Sequence, residues 1–291
     1  MKKFLLFLII GLLLTFVGLA FVLAKTYRHP APAAKNVLAP QTKETIIEGW
    51  TLQDIADDLN ADPKREDAPH LATQAEFLAA AKNFPTTDYP LLNSKPAGSS
   101  LEGFVFPDTY FLPLSVSSTT NESEVLLTKA LNNFSEKFTP AMQQAADARG
   151  MSIFQIVTLA SIVEKETGRN TVTDQEKQSL ADERKTIAGI FYNRLAIGMP
   201  LESDATVNYI TKKNMPSASA EDITIDNPYN TYLYKGLPPG PICNPSLSSL
   251  MAVLYPTKTN YFYFLHAQPS GQVYYAQTYA EHLQNKQKYL Q

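Results

Sequence analysis

The sequence predicts a membrane-anchored α+β protein with three parts: an N-terminal transmembrane helix, a small βα subdomain, and a larger α+β domain built around a glutamate-bearing helix. Three observations predict it. Phe4 to Ala24 is an apolar run without a charge, long enough to cross a bilayer as a helix. Capped amphipathic patterns recur from Thr51 to the C-terminus, while strand patterns are few and short. Met151 to Arg169 reads as one apolar helix with two acids near its end. The boundaries that follow are an N-terminus 1–3, a transmembrane helix 4–24, a linker 25–36, a small subdomain 37–100 and a main domain 101–291.

Lys2, Lys3 and the α-amino group precede the apolar run, and Lys25 and Arg28 follow it. The positive-inside rule then favours a cytoplasmic N-terminus by a narrow margin, with the bulk of the chain on the other side. Val22-Leu23-Ala24 leaves a cleaved leader as the alternative. Pro30 and Pro32 among alanines make 25–36 an extended linker. Glu44 to Glu48 is read as a strand, Gly49 as a turn, and Thr51 to Leu59 as a helix capped by Thr51, with Asp54 in its first turn. A second helix runs from about Thr73 to Lys82, and Pro85 and Pro90 end the segment. Leu101 to Phe111 alternates aromatic residues with turn formers, which predicts a strand and tight turn between the two domains.

In the main domain, Glu122 to Lys137 and Pro140 to Arg149 are predicted helices. In the next one, Ser152 and Gln155 form a capping box and Gly168 ends the run. At about 100° per residue, Ile153, Ile156, Val157, Ala160 and Val163 form one stripe, and Glu164 falls within it, about 20° from Ile153. Glu166 falls near the opposite face. Burying a carboxyl raises its pKa and keeps it protonated for general-acid work, so the pattern nominates Glu164. The competing reading is a helix-end glutamate paired with an arginine such as Arg169 or Arg194. Ser179 to Ile197 is another helix, with Ile187, Ile190, Phe191 and Leu195 on its stripe. Gly236 to Pro245 is too rich in proline and glycine for regular structure and suits a rigid wall. Ser246 to Leu254 is helical, Tyr261 to His266 pairs with Gln272 to Ala276 as a hairpin, and Tyr279 to Tyr289 closes the chain.

The remaining composition narrows the chemistry. With 291 residues, of which 44% are apolar, the chain is large enough for two modest domains. One cysteine, Cys243, rules out an intramolecular disulfide and a cysteine-rich metal site. His29, His70, His266 and His282 have no ligand spacing, so no metal is expected. A net charge of −3 without a basic patch does not recommend nucleic acid. Aromatic and amide groups gathered around one acid suit a sugar polymer.

Two resemblances sharpen this. The stretch IIEGWTLQDIADDLN resembles the start of a LysM module, a small glycan-binding unit; a packing subdomain is the alternative. LASIVEKET, IAGIFYNRLAIGMPL, SDATVNY, NPYNTY and GLPPGPICNP, in this order and spacing, resemble the YceG-like (MltG) family of endolytic murein transglycosylases. The apolar N-terminus and LEGFVFPDTY extend the resemblance over nearly the whole chain. It implies a bacterial inner-membrane enzyme, its bulk outside the cytoplasm, that cuts nascent peptidoglycan between N-acetylmuramic acid and N-acetylglucosamine without water. The product is a 1,6-anhydromuramic acid end, and no cofactor is needed. Its implied partners are glycan strands, the cytoplasmic membrane through 4–24, and wall-synthesis proteins. By position, the resemblance assigns Glu164 as the catalytic acid. Ser203, Asp204, Thr206, Asn230, Thr231 and Tyr232 become cleft residues, and Glu166, Asn193 and Arg194 support or orient. The chain departs from the family pattern at Glu202, where glutamine is usual, and at Ala205, where proline is. It also departs at Val273, where relatives often have histidine, and at Cys243, where serine is common. Two alternatives stand beside this: a muramidase that uses water with Glu202 or Asp204 as base, and a membrane-anchored glycan-binding scaffold.

Overall fold

Helices dominate, and two antiparallel strand pairs complete an α+β architecture. The computed structural model describes residues 11, 13, 15–17, 19, 21, 41–61, 73–113, 122–168, 171–213, 215, 217–267 and 270–290. The chain divides into two units, Met1–Pro40 and Gln41–Gln291. In the first, the described residues are helical, and Leu13, Phe16, Val17, Leu19 and Phe21 are exposed. Most of the expected span 4–24 and all of the linker 25–36 lie outside the described residues. Among the described residues no single helix is long and apolar enough to cross a membrane.

The second unit opens with β1 (Gln41–Thr45), which pairs antiparallel with β2 (Thr109–Pro113), Gln41 opposite Pro113 and Thr45 opposite Thr109. The strand therefore lies three residues earlier than the run Glu44 to Glu48 suggests, because the partner strand supplies the ladder and Gly49, at φ 80°, already turns the chain. Helix α1 (Leu52–Ala61) starts at Thr51, whose hydroxyl accepts from Asp54 N. Helix α2 (Gln74–Asn83) has a full Thr73/Glu76 capping box.

The β1–β2 pairing crosses the boundary expected at 100/101, and the stretch expected to join two domains is core. Leu101, Phe104, Val105 and Phe106 are all buried. Phe104 lies 5.7 Å from Phe134 and 6.1 Å from Phe154, ring centre to ring centre, which ties this turn to two of the helices that follow. Gly103 has φ 87°, and a Cβ there would sit 2.5 Å from Pro241 Cβ and 2.8 Å from Val157 Cγ1, so only glycine fits. Asn244 fastens the same region: its Oδ1 accepts from Val105 N and its Nδ2 donates to Trp50 O.

Helix α3 (Glu122–Lys137) and α4 (Pro140–Ala148) lead into α5 (Ile153–Thr167). The α5 capping box forms as the sequence implies, with Gln155 N donating to Ser152 Oγ and Ser152 N to Gln155 Oε1. Its apolar surface is wider than one stripe: Phe154, Leu159 and Ile162 are buried along with Ile156, Val157, Ala160 and Val163. A helix buried over most of its surface is a central helix, and α6 (Asp174–Ala196) and α8 (Leu247–Leu254) pack on it. Helix α6 begins five residues before the expected Ser179, because Thr173 and Glu176 form another capping box. Between these lies α7 (Asp204–Thr211). The hairpin of β3 (Tyr263–His266) and β4 (Val273–Ala276) and then α9 (Tyr279–Tyr289) complete the chain.

Candidate active site

Two residues of separation on α5 turn Glu164 and Glu166 about 200° apart, into different surroundings. Glu164 is 3% exposed. Its Oε1 accepts from Arg184 Nη2 at 2.6 Å, and its Oε2 from Ser246 N at 2.8 Å and Ser246 Oγ at 2.5 Å. Arg184 is itself buried, and its Nε donates to Thr167 Oγ1 at 3.1 Å. Ser246 caps α8, accepting from Ser249 N. Both oxygens of Glu164 are thus committed to three donors, and the carboxylate bolts α5, α6 and the start of α8 together. The arginine is neither of the two considered from the sequence. Arg169 lies outside the described residues, and Arg194 points elsewhere. Arg184 was nonetheless findable: with Ile187, Phe191 and Arg194 it falls at helical spacing on one face of α6.

Glu166 is half-buried and accepts a very short hydrogen bond from the Ser203 hydroxyl. Burial lifts its carboxyl above the usual range and the Asp204 charge adds to this, against the opposing pull of Ser203, His266 and Arg194. Asp204 Oδ1 accepts from Tyr232 OH at 2.8 Å. Burial and then that bond raise the phenol, with Glu166 and Glu202 contributing charge. Glu166, Ser203, Asp204 and Tyr232 therefore converge around one carboxyl. His266 joins them from β3, its Nε2 3.0 Å from Glu183 Oε1. The sequence gives no sign of this role, because His266 has no partner at short spacing.

The other nominated residues build this arrangement from behind. Thr231 Oγ1 accepts from Ser203 N at 3.0 Å and lies 2.9 Å from Thr206 Oγ1, and Thr206 Oγ1 donates to Ser203 O at 2.8 Å. Asn230 donates to Ile223 O and Ile225 O and accepts from Tyr232 N. Thr206, Asn230 and Thr231 are buried at 0–1% exposure, so they shape the loops instead of facing a cleft. Asn193 Nδ2 is spent on Thr259 O and Tyr261 O. Arg194 donates to Phe262 O, Pro200 O and Leu201 O and pairs with Glu202 at 3.0 Å. Glu202 sits at φ 51°, a conformation that few side chains tolerate and that the loop must hold in place. The two glutamates thus have separated environments, one saturated by donors and one lifted toward its neutral form beside a hydroxyl. Among the described residues no group of three or more His, Cys, Asp or Glu is arranged to hold a metal ion.

Comparison with known proteins places this geometry in context. A model of the YceG-like family matches residues 24–288. The chain is 34% identical over 250 residues to an endolytic murein transglycosylase of Bacillus subtilis (strain 168), covering 84% of this chain and 64% of that protein. It is 34% identical over 261 residues to an endolytic murein transglycosylase of Streptococcus pneumoniae serotype 2 (strain D39 / NCTC 7466), covering 83% of this chain and 43% of that protein. The chain thus spans less than two thirds of the length of these two relatives. The crystal structure of a yceG-like protein from Listeria monocytogenes superposes with a TM-score of 0.68 at 32% identity, covering 85% of this chain and 76% of that one.

Proposed function

The chain belongs to the YceG-like family, and from that premise we propose that it is an endolytic peptidoglycan lytic transglycosylase with Glu166, not Glu164, as its general acid and base. The observation that carries the assignment is the contrast between the two carboxyls. Glu164 has both oxygens filled by Arg184 and Ser246, whereas Glu166 is lifted by burial and touched by a single hydroxyl donor. Glu166 protonates the glycosidic oxygen as the bond from muramoyl C1 to that oxygen breaks. The muramoyl 6-hydroxyl then closes on C1, and its proton returns to Glu166. Atoms balance without water, and the product is an anhydro ring. Because the nucleophile belongs to the same sugar, no second protein carboxylate is needed and the step gains the advantage of proximity.

A muramidase reading would draw its base from Glu202 or Asp204. Those carboxylates are held by Arg194 and by Tyr232, which favours the single-acid mechanism. The proposal includes a single-pass anchor at 4–24 with the bulk of the chain outside the cytoplasm, supported by the uncharged apolar run. It also includes glycan contact by the LysM-like unit within 37–100, and association with wall-synthesis proteins. Digestion of purified glycan strands followed by mass spectrometry tests the chemistry. Anhydro ends one water lighter than reducing ends are expected from wild type, and none from Glu166→Gln. Reducing ends would establish hydrolysis instead, and loss of cleavage in a well-folded Glu164→Gln variant with Glu166→Gln active would return the acid to Glu164.

A further inference from the structure

His266 on β3 and Glu183 on α6 meet beside the acid cluster, Nε2 and Oε1 lying 3.0 Å apart. The Glu183 side chain is 6% exposed and that of His266 26%, so a buried carboxylate backs a ring that solvent reaches. The ring is fixed from other sides as well. Phe264 stands edge-on to it at 5.9 Å, and edge-on in turn to Phe191 of α6 at 6.0 Å. Arg194 Nε donates to Phe262 O at 2.6 Å, which holds the head of the strand to the same helix. A carboxylate only accepts, so Nε2 carries the hydrogen of the Glu183 bond, and any proton that His266 gains or loses is on Nδ1. Among the described residues Nδ1 has no hydrogen-bond partner.

Charge on this ring acts on Glu166. The Asp204 charge raises the Glu166 carboxyl, and positive charge on His266 and Arg194 pulls it down. The guanidinium keeps its charge at any working pH, whereas an imidazole can lose it. Of the other titratable groups at this corner, Tyr232 is bonded to Asp204, and His282 of α9 stacks on Tyr263 and is held toward its neutral form by burial. Val273, opposite His266 on β4, brings no charge. Among these neighbours His266 is thus the one whose positive charge can be switched. We infer that His266, fixed by Glu183, is a positioning residue for the acid: the imidazolium favours the Glu166 carboxylate that exists between the two proton transfers, and the neutral ring lets Glu166 hold its proton. The two groups then titrate as a coupled pair. Loss of the imidazole proton as pH rises extends the range over which Glu166 stays protonated. The inference rests on the reading of Glu166 as general acid and base.

Two measurements test it on the full chain. The first is the pH dependence of kcat/KM on glycan strands. His266→Gln carries no charge at any pH and His266→Lys keeps a positive one. The descending limb of His266→Gln is therefore expected about one pH unit above that of His266→Lys, with wild type between them. The second reads the ring without turnover, by nitrogen NMR titration of the His266 imidazole in wild type and Glu166→Gln. Loss of the carboxylate should move that titration down by about one pH unit. Coincident limbs in the two His266 variants, a wild-type limb that coincides with either of them, or an imidazole titration indifferent to Glu166→Gln overturns the inference. A wild type whose ring responds to Glu166→Gln but which cleaves no glycan supports the pair and refutes the transglycosylase reading instead.

Discussion

Removal of the Glu164 carboxylate should unfold the protein more readily than it alters the chemistry. In Glu164→Ala, Arg184 stays buried with its charge unpaired, and the N–H and hydroxyl of Ser246 lose their acceptor. Both ion-pair partners have side chains about 4–6% exposed, so solvent does not compensate. Breaking a buried pair from one side destabilises by about 3–5 kcal/mol. For a unit of this size, each kcal/mol moves Tm by about 2–4 °C, which gives a fall on the order of 10 °C. Thermal melting followed by circular dichroism measures it. Removing the second charge as well, in Glu164→Leu/Arg184→Met, should recover most of the loss, because apolar groups of similar volume replace the pair at little net cost. With Glu164→Leu and Arg184→Met each measured alone, the cycle closes, and its coupling is the pairwise quantity of interest. A Glu164→Ala variant that melts within about 1 kcal/mol of wild type, or a double variant no better than the single, would show that the pair is not the bolt described here.

Other outcomes follow from the same geometry. If Glu166 is the acid proposed, it must be protonated to donate, so kcat/KM should fall as pH rises through its raised pKa. Asp204→Asn removes a charge that helps raise it, and the descending limb should move to lower pH; an unmoved limb would detach Asp204 from the acid. Glu102, whose oxygens accept from Leu52 N, is pushed up to about 8 by burial. Its folded form therefore holds a proton that the unfolded chain has released above about pH 4.5, and stability should decline between there and pH 8 by up to about 1.4 kcal/mol per pH unit. Denaturant unfolding across that range should show the slope in wild type and a flatter one in Glu102→Gln. Gly103→Ala should lose about 3 kcal/mol or fail to fold, since its Cβ would collide with Pro241 and Val157 at a left-handed φ; a melt like that of wild type would contradict the packing there.

Local interactions are legible in the sequence. Helix periodicity and the Ser152/Gln155 cap depend on residues a few positions apart, and α3, α5, α8 and α9 lie where the pattern puts them. The hairpin of β3 and β4 was likewise legible from two short aromatic runs around a turn. The start of α6 is not legible, because the Thr173/Glu176 box stands in a stretch that otherwise reads as a polar loop. The stretch 101–111 reads as a join because aromatic residues and turn formers occur in both joins and cores. Only the approach of Pro241 and Asn244, well over a hundred residues away in the chain, makes it core.

The choice between the two glutamates illustrates the limit best. Periodicity showed that α5 is apolar and that its two acids face different ways. Those facts belong to the helix itself, because a helix fixes the angle between residues two apart. Which acid is neutralised by an arginine and which is left beside a hydroxyl depends on Arg184 and Ser246 for one and Ser203 for the other, groups brought in from 20, 82 and 37 positions away. A carboxyl's charge is governed by its nearest donors and its burial. For groups that meet only after the chain has closed on itself, tertiary packing alone supplies both.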